Sequence, residues 1–168
     1  VNTYTTQDQA QVDVGMDDTG RFVVAWESFA QISGFDVFLR SYSATGVALL
    51  AVEENANTEY TTFYQRKPGI GMNGAGAFAV SFESEQYGFG EDAIVRRYDA
   101  TFTKAGPEIR ASNYLIGDSN DDQTQTRAGM AADGSFVVVW ESETQDGSGW
   151  GIYAQRYDPA GNALGLTN

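Results

Sequence analysis

Three glutamates are the first candidates for chemistry in this sequence, because the chain has no histidine and no cysteine. Those absences remove Ser-His triads, thiol chemistry and the usual zinc ligands. Glu27, Glu83 and Glu141 stand at the same place in three similar segments, and paired carboxylates can serve a glycosidase. A catalytic acid and base, however, need different surroundings to separate their pKa values. We therefore expect the repeated glutamates to accept structural hydrogen bonds, and a glycosidase stays as an alternative.

Two acidic loops offer oxygen ligands for a metal ion. The donors are Asp146 and Ser148 in one loop and Asp118, Asp121 and Asp122 in the other. Ca²⁺ takes about six to eight such oxygens, often from flexible loops. Neither loop has the spacing of an EF-hand or of a repeat-in-toxin nonapeptide. Calcium is the one cofactor that the sequence indicates. The alternative is that both acidic loops are solvated polar turns that bind no metal ion.

Aromatic residues near the same loops could form a platform for a sugar ring. Phe35, Tyr87, Phe89 and Trp150 lie in or beside the loops, next to polar residues. An aromatic ring presents an apolar face with a polar surround, which suits a carbohydrate. The alternative is that these rings cover the edge of a module or a contact between chains.

A repeated pattern, Gly-x-Phe-Val-Val-x-Trp-Glu-Ser, organises the chain. It occurs three times, in modified form in the second copy, and the phenylalanines are 56 and 58 residues apart. Recurrence at such a period predicts stacked or radially arranged modules. The repeated positions are two aromatic residues and a glutamate: Phe22, Trp26 and Glu27; Phe78, Phe82 and Glu83; Phe136, Trp140 and Glu141.

Each repeat is predicted to form four β-strands, and no segment has helical periodicity. Asp, Asn and Gly residues mark the turns, and the second strand is apolar on both faces, as in a strand buried between sheets. Gly15, Gly71 and Gly129 stand in the first strands, where a glycine often marks close approach of another backbone. The fourth strand of the first repeat is placed at residues 47–52.

The strand count predicts an all-β fold of three four-stranded antiparallel repeats that resemble propeller blades. The repeats are assigned to residues 1–56, 57–114 and 115–168, as one continuous array. A β-sandwich built from the same strands is the alternative fold.

The third repeat also carries a family resemblance. It runs Asp-Gly-Ser-Phe-Val-Val-Val-Trp-Glu-Ser over 133–142, Gln-Asp-Gly-Ser-Gly over 145–149 and Gly-Ile-Tyr-Ala-Gln-Arg-Tyr over 151–157. This resembles a largely uncharacterised repeat of very long bacterial secreted and surface proteins, and the opening residues 1–6 resemble its linker. In the second copy Phe82 replaces the tryptophan. The resemblance implies an extracellular, propeller-like region of adhesin-like or calcium-rich proteins, with no catalytic residues.

The charge of the chain limits its partners. The net charge is -13 and the isoelectric point is about 4.1. Nucleic acids and anionic membrane surfaces are bound by basic proteins, so neither is an expected partner of this chain. No apolar run is long enough to span a bilayer. The chain begins with Val1 rather than methionine, which indicates a mature or excised segment.

These features together predict a function without catalysis. Propellers close with about four to eight blades, so three blades leave unsealed ends that invite pairing. We expect a non-enzymatic, extracellular structural module at the bacterial surface, which self-assembles with copies of itself through open sheet edges into a ring or filament. The alternative is an adhesin or lectin-like module that binds glycans, with or without calcium.

Overall fold

Twelve β-strands build the part of the chain that the computed structural model describes, residues 1–32, 34–86, 90–112 and 122–167. None of these residues is in a helix that could cross a membrane. The strands are β1 (Gln9–Met16), β2 (Phe22–Phe29), β3 (Phe35–Tyr42), β4 (Glu54–Asn55), β5 (Gln65–Met72), β6 (Phe78–Ser84), β7 (Asp92–Tyr98), β8 (Ile109–Arg110), β9 (Gln123–Met130), β10 (Phe136–Glu143), β11 (Trp150–Tyr157) and β12 (Ala163–Thr167).

Three antiparallel sheets of four strands contain all of these strands. Strands β1 to β4 form blade 1, β5 to β8 form blade 2 and β9 to β12 form blade 3, each in chain order. Every strand pairs with its neighbour along the chain, so each blade is a simple meander. The predicted all-β fold of three four-stranded repeats is confirmed, and the two-sheet sandwich does not describe it.

One aromatic pair recurs in every blade. The phenylalanine that begins the second strand stacks on the tyrosine that ends the third strand, with ring centroids 4.9 Å apart for Phe22 and Tyr42 and 4.5 Å apart for Phe78 and Tyr98. The third blade repeats the pair at 4.7 Å. Stacked rings on adjacent strands add stabilisation beyond their burial, so the same Phe–Tyr pair stabilises each blade.

Apolar side chains fill the spaces between the blades. The core between blades 1 and 2 takes Val23 and Leu39 from one sheet and Phe82 and Ile94 from the next. The core between blades 2 and 3 is built in the same way. The second strands are therefore apolar on both faces because the middle of the array is covered on both sides.

The first strands of the blades lie side by side and meet at glycines. A Cβ atom added to Gly71 would lie 2.6 Å from the carbonyl carbon of Ala128 in blade 3. One added to Gly15 would lie 2.6 Å from the side chain of Ile70 in blade 2. These glycines are thus sites of close approach between neighbouring inner strands, as the sequence predicts.

The fourth strand of the first repeat is displaced from its predicted place. Residues 47–52 begin to pair, through a bridge between Tyr42 and Ala48 and a hydrogen bond from Leu49 N to Ser41 O. Regular pairing then resumes only at Glu54–Asn55, opposite Phe38 and Leu39. Because this edge strand is short and the segment before it is irregular, few backbone groups are left free to pair with a strand of another chain.

Candidate functional site

The loop end of the blades is the end at which each second strand turns into the third. Near it, each inner strand has a β-bulge at the same place in the repeat. Gln11, Lys67 and Gln125 occupy the bulges with φ angles of 50°, 50° and 53°, in the left-handed region. A residue with a side chain is strained there, and such strain persists only where surrounding contacts hold it.

Two of the repeated glutamates supply those contacts. Glu27 of blade 1 accepts a hydrogen bond of 3.0 Å from the backbone N of Lys67 in blade 2. Glu83 of blade 2 accepts one of 2.6 Å from the backbone N of Gln125 in blade 3. Both glutamates are buried. We call this recurring bond the glutamate latch: each blade holds the bulge of the next one.

Cations connect successive latches. The Lys67 ammonium lies 2.8 Å from a Glu83 carboxylate oxygen, so one residue joins the latches of blades 1 and 2. The Arg66 guanidinium lies 3.3 Å from Glu27 and stacks 4.2 Å from the centre of the Phe35 ring. The buried carboxylates are therefore compensated by partly exposed cations.

Burial raises the pKa of Glu83 to about 7, and the negative charge of Glu91 adds to the shift. The Lys67 ion pair and the bond from Gln125 act in the opposite direction and do not cancel the desolvation. Because Glu83 is enclosed, this carboxyl group does not meet a solute, and its role is to join blades 2 and 3.

The raised pKa of Glu83 predicts that folding stability falls as the pH rises from about 4.5 to about 7. In this window the folded protein binds the Glu83 proton more tightly than the unfolded chain does, so deprotonation favours unfolding. Urea unfolding across this range measures the slope. The Glu83→Gln variant should show a shallower decline than the parent. An equal slope in both proteins would contradict the assignment.

A second acidic group is accessible at the same end. Glu85, Glu91 and Asp122 are half-buried. Burial raises the pKa of Glu85, with the charges of Glu91 and Asp122 contributing and Arg66 opposing. Asp122 accepts a hydrogen bond of 3.1 Å from the backbone N of Glu91, which ties blade 3 to the loop of blade 2. This end therefore holds a carboxyl group that favours its proton beside other carboxylates.

Aromatic rings stand next to this acidic group. Phe35 packs edge-on against Tyr64, with ring centres 5.8 Å apart, and Tyr64 accepts a bond of 3.0 Å from the backbone N of Glu85 through its carbonyl oxygen. Tyr64 is partly open to solvent. We call Phe35, Tyr64, Arg66, Glu85 and Glu91 the loop-end cluster. It combines aromatic faces, one cation and two reachable carboxyl groups.

The other predicted ring positions are distributed over the array. Trp150 is exposed at the start of β11, paired with Glu143 in blade 3, whereas Phe35 belongs to blade 1. Tyr87 and Phe89 lie outside the described residues. The repeated positions Phe22, Trp26, Phe78, Phe82, Phe136 and Trp140 are all in second strands, where they pack in the blades.

The predicted calcium ligands are placed as follows. Asp146 accepts a bond of 3.1 Å from the backbone N of Ser148, as in a polar turn, and Asp122 belongs to the acidic group above. Asp118 and Asp121 lie outside the described residues. Within the described ranges, no group of three or more acidic side chains is arranged to hold a metal ion.

Sequence reasoning missed Tyr64, Arg66, Glu85 and Glu91. One signal in the sequence is the basic pair Arg66 and Lys67, separated from Phe63 and Tyr64 only by Gln65, in a chain with ten lysines and arginines in total. The pair directly precedes the predicted strand at 68–72, and a basic pair that becomes partly buried requires acidic partners nearby. Arg66 pairs with Glu27 of the first repeat and Lys67 with Glu83 of its own repeat, and neither pairing is visible as a motif in the sequence.

No protein-family model matches this chain, and no curated protein matches it. Several solved structures share its fold. An endo-arabinase from Bacteroides thetaiotaomicron gives a TM-score of 0.59 at 13% identity, over 95% of this chain and 63% of that one. An endo-1,4-β-xylanase from the same organism gives 0.57 at 12%, over 98% and 60%. An α-L-arabinanase from Penicillium chrysogenum, complexed with arabinobiose, gives 0.58 at 13%, over 93% and 49%.

The comparison corrects two expectations from the sequence. The chain was expected to be no enzyme, and to act as a self-assembling structural module or as an adhesin or lectin. Both expectations are wrong, because the fold is that of glycoside hydrolases, in structures that this chain matches over nearly its whole length. The chain spans about half to two thirds of the length of those enzymes. Its three blades form a propeller-like fold.

Proposed function

We propose that this protein processes carbohydrate as a glycoside hydrolase, with the loop-end cluster as its reacting site. The observation that supports this most directly is the pair Glu85 and Glu91, in which burial and like charge raise the pKa of Glu85. Glycosidases commonly use two carboxyl groups, one protonated and one ionised. The fold shared with three such enzymes supports the same class of reaction.

Glu85 serves as the general acid in this proposal. Burial and the charges of Glu91 and Asp122 raise the pKa of Glu85, which favours its protonated form. Its proton goes to the glycosidic oxygen as the bond to the leaving sugar breaks. Glu91 supplies the second carboxyl group of the proposed pair, the one that either activates a water or attacks the anomeric carbon. Unlike the enclosed Glu27 and Glu83, these two carboxyl groups are reachable from solvent.

The substrate in this proposal is a neutral polymer of pentose sugars. Tyr64 has a partly exposed aromatic ring, which packs on Phe35, and such a ring binds the apolar face of a sugar. The net charge of -13 repels an anionic polysaccharide. Arabinan and xylan are therefore the substrates to test, in line with the names of the three structures.

An extracellular or cell-surface location, in a bacterium, belongs to the same proposal. A polymeric sugar substrate is too large to enter a cell, so the enzyme has to meet it outside. The absence of cysteine from the chain is compatible with such a location, since the fold needs no disulfide there.

Reducing ends released from arabinan, xylan and the corresponding aryl pentosides measure the activity. We expect turnover on at least one of these substrates, with release that grows in proportion to protein concentration. Anionic polysaccharides of similar length serve as the contrast and should be poor substrates. No release from any neutral pentose substrate at high protein concentration would contradict the proposal.

A further inference from the structure

The loop-end cluster is assembled from two different blades. Phe35 begins β3 of blade 1, whereas Tyr64 directly precedes β5 of blade 2 and Arg66 lies in that strand. The Phe35 ring contacts both, with its centre 5.8 Å from the centre of the Tyr64 ring and 4.2 Å from the Arg66 guanidinium. A binding site keeps such contacts only when the supporting structure holds its parts in place to within about 0.5 Å.

Asn57 lies between the two strands that carry these residues, and it is fully buried. Its Oδ1 atom accepts a hydrogen bond of 2.7 Å from the backbone N of Val37. Its Nδ2 atom donates to Asp36 Oδ1 at 2.8 Å and to Gln65 Oε1 at 3.1 Å, and it lies 3.2 Å from the carbonyl oxygen of Tyr60. Asp36 directly follows the phenylalanine of the cluster, and Gln65 stands between its tyrosine and its arginine. One side chain thus bonds to the sequence neighbours of all three.

The segment that carries Asn57 is itself anchored to the outer part of blade 2. The Glu108 carboxylate accepts hydrogen bonds from three consecutive backbone amides, those of residues 58, 59 and 60, at 2.6, 3.1 and 2.8 Å. The buried Arg96 lies 2.5 Å from the same carboxylate and donates a bond of 3.3 Å to the carbonyl oxygen of Ala56. Buried polar networks whose members are satisfied are rigid, so Asn57 holds β3 at a fixed place relative to blade 2.

The corresponding positions before the other two blades are built differently. Asn2 is exposed before blade 1 and donates to the carbonyl oxygen of Tyr4 and to Gln9 Oε1, both in its own segment. Ser112 stands before blade 3 and donates a bond of 3.2 Å to Asp92 of blade 2. A serine hydroxyl has a single proton, so it cannot donate to two blades at once. The asparagine that does so lies at the junction that holds the loop-end cluster.

We propose that Asn57 is a positioning residue of the loop-end cluster, which fixes how far Phe35 of blade 1 lies from the cluster residues of blade 2. It touches no sugar itself. It holds the Phe35 ring against the edge of Tyr64, and so supports the partly exposed tyrosine ring on which the proposed substrate lies. The effect on the substrate rests on the proposed function, whereas the effect on the geometry does not.

Nuclear magnetic resonance of the Arg66 side chain measures this geometry. Protons above the face of an aromatic ring are shielded, so the Arg66 Nε–H resonance should lie upfield in the parent and move downfield in Phe35→Leu, which has no ring. Asn57→Ala and Asn57→Ser should move it most of the way to the Phe35→Leu position, while the backbone resonances of blade 3 stay in place. Asn57→Ser is expected to fold, because the chain itself has a serine at this place before blade 3.

Asn2→Ala is the matched control and should leave the Arg66 resonance at its parental position, since Asn2 bonds within its own segment. If Asn57 served stability alone, its variants would unfold at lower urea concentration without moving the Arg66 resonance. A resonance that stays at the parental position in both Asn57 variants would therefore overturn the proposal, whether or not the protein hydrolyses a sugar.

Initial rates on the best neutral pentose substrate give a second readout. In Asn57→Ser the KM should rise by about three- to tenfold while kcat changes by less than about twofold, because a ring contact binds substrate and transition state alike. A lowered kcat at unchanged KM would contradict a role in placing the rings. If the parent hydrolyses none of the pentose substrates, the proposed function fails, and the Arg66 resonance still decides the role of Asn57.

Discussion

Replacing Glu85 by glutamine is expected to lower the rate of glycoside hydrolysis by about 10²- to 10⁴-fold, the usual contribution of a general acid. Glutamine fills the same volume beside Arg66 and Glu91 but has no proton to give to a leaving sugar. The loss should appear in kcat more than in KM, since the sugar contacts are kept. Initial rates on the best pentose substrate measure it.

A matched control lies in blade 3. Glu143 follows Ser142 as Glu85 follows Ser84. Glu143→Gln should keep the parental rate, because Asp122 and Thr124 stand in blade 3 at the repeat positions of Tyr64 and Arg66. The parent rate should also fall as the pH rises past the raised pKa of Glu85, when the acid loses its proton. A Glu85→Gln protein with unchanged rate would remove Glu85 from the mechanism.

Replacing Gly71 by alanine is expected to destabilise the fold by about 1 to 3 kcal/mol, the usual cost of overpacking a tight contact. The added methyl group would meet the carbonyl carbon of Ala128 at 2.6 Å, its oxygen at 2.7 Å and the Cα of Gly129 at 2.7 Å. All three atoms belong to backbone, so relief requires the inner strands to move apart. The midpoint of urea unfolding measures the loss.

Gly129→Ala is the matched control, at the same repeat position one blade later. The nearest atom to its added Cβ is a methyl group of Val137 at 3.7 Å, an ordinary van der Waals distance. Its free energy of unfolding should change by less than about 0.5 kcal/mol, as for a surface substitution. Equal losses at Gly71 and Gly129 would mean that the contact between inner strands is not what constrains the glycine.

The architecture followed from the sequence because its signals repeat. The phenylalanine and tyrosine positions, the turn residues and the inner-strand glycines each occur three times, and every occurrence has the same local cause. The displaced fourth strand of the first repeat was not predicted. Residues 47–52 are apolar enough to form a strand. Where such a strand begins depends on how it pairs with β3, which the local sequence does not specify.

The loop-end cluster could not be derived in the same way. Four of its residues come from the second repeat and Phe35 from the first, and the sequence contains no motif in which the five stand together. The difference between the buried Glu83 and the reachable Glu85 is also a property of packing. The repeated glutamates are the stronger motif in the sequence, and their repetition favours a protein without catalysis, an expectation that the shared fold corrects.

In both latch bonds the acceptor carboxylate belongs to one blade and the donor amide to the blade that follows it in the chain. A tandem duplication of this unit thus produces a new neighbour that arrives with its donor and acceptor already in place. A gene that encodes such a unit can gain or lose copies during evolution while the geometry of each junction is inherited unchanged.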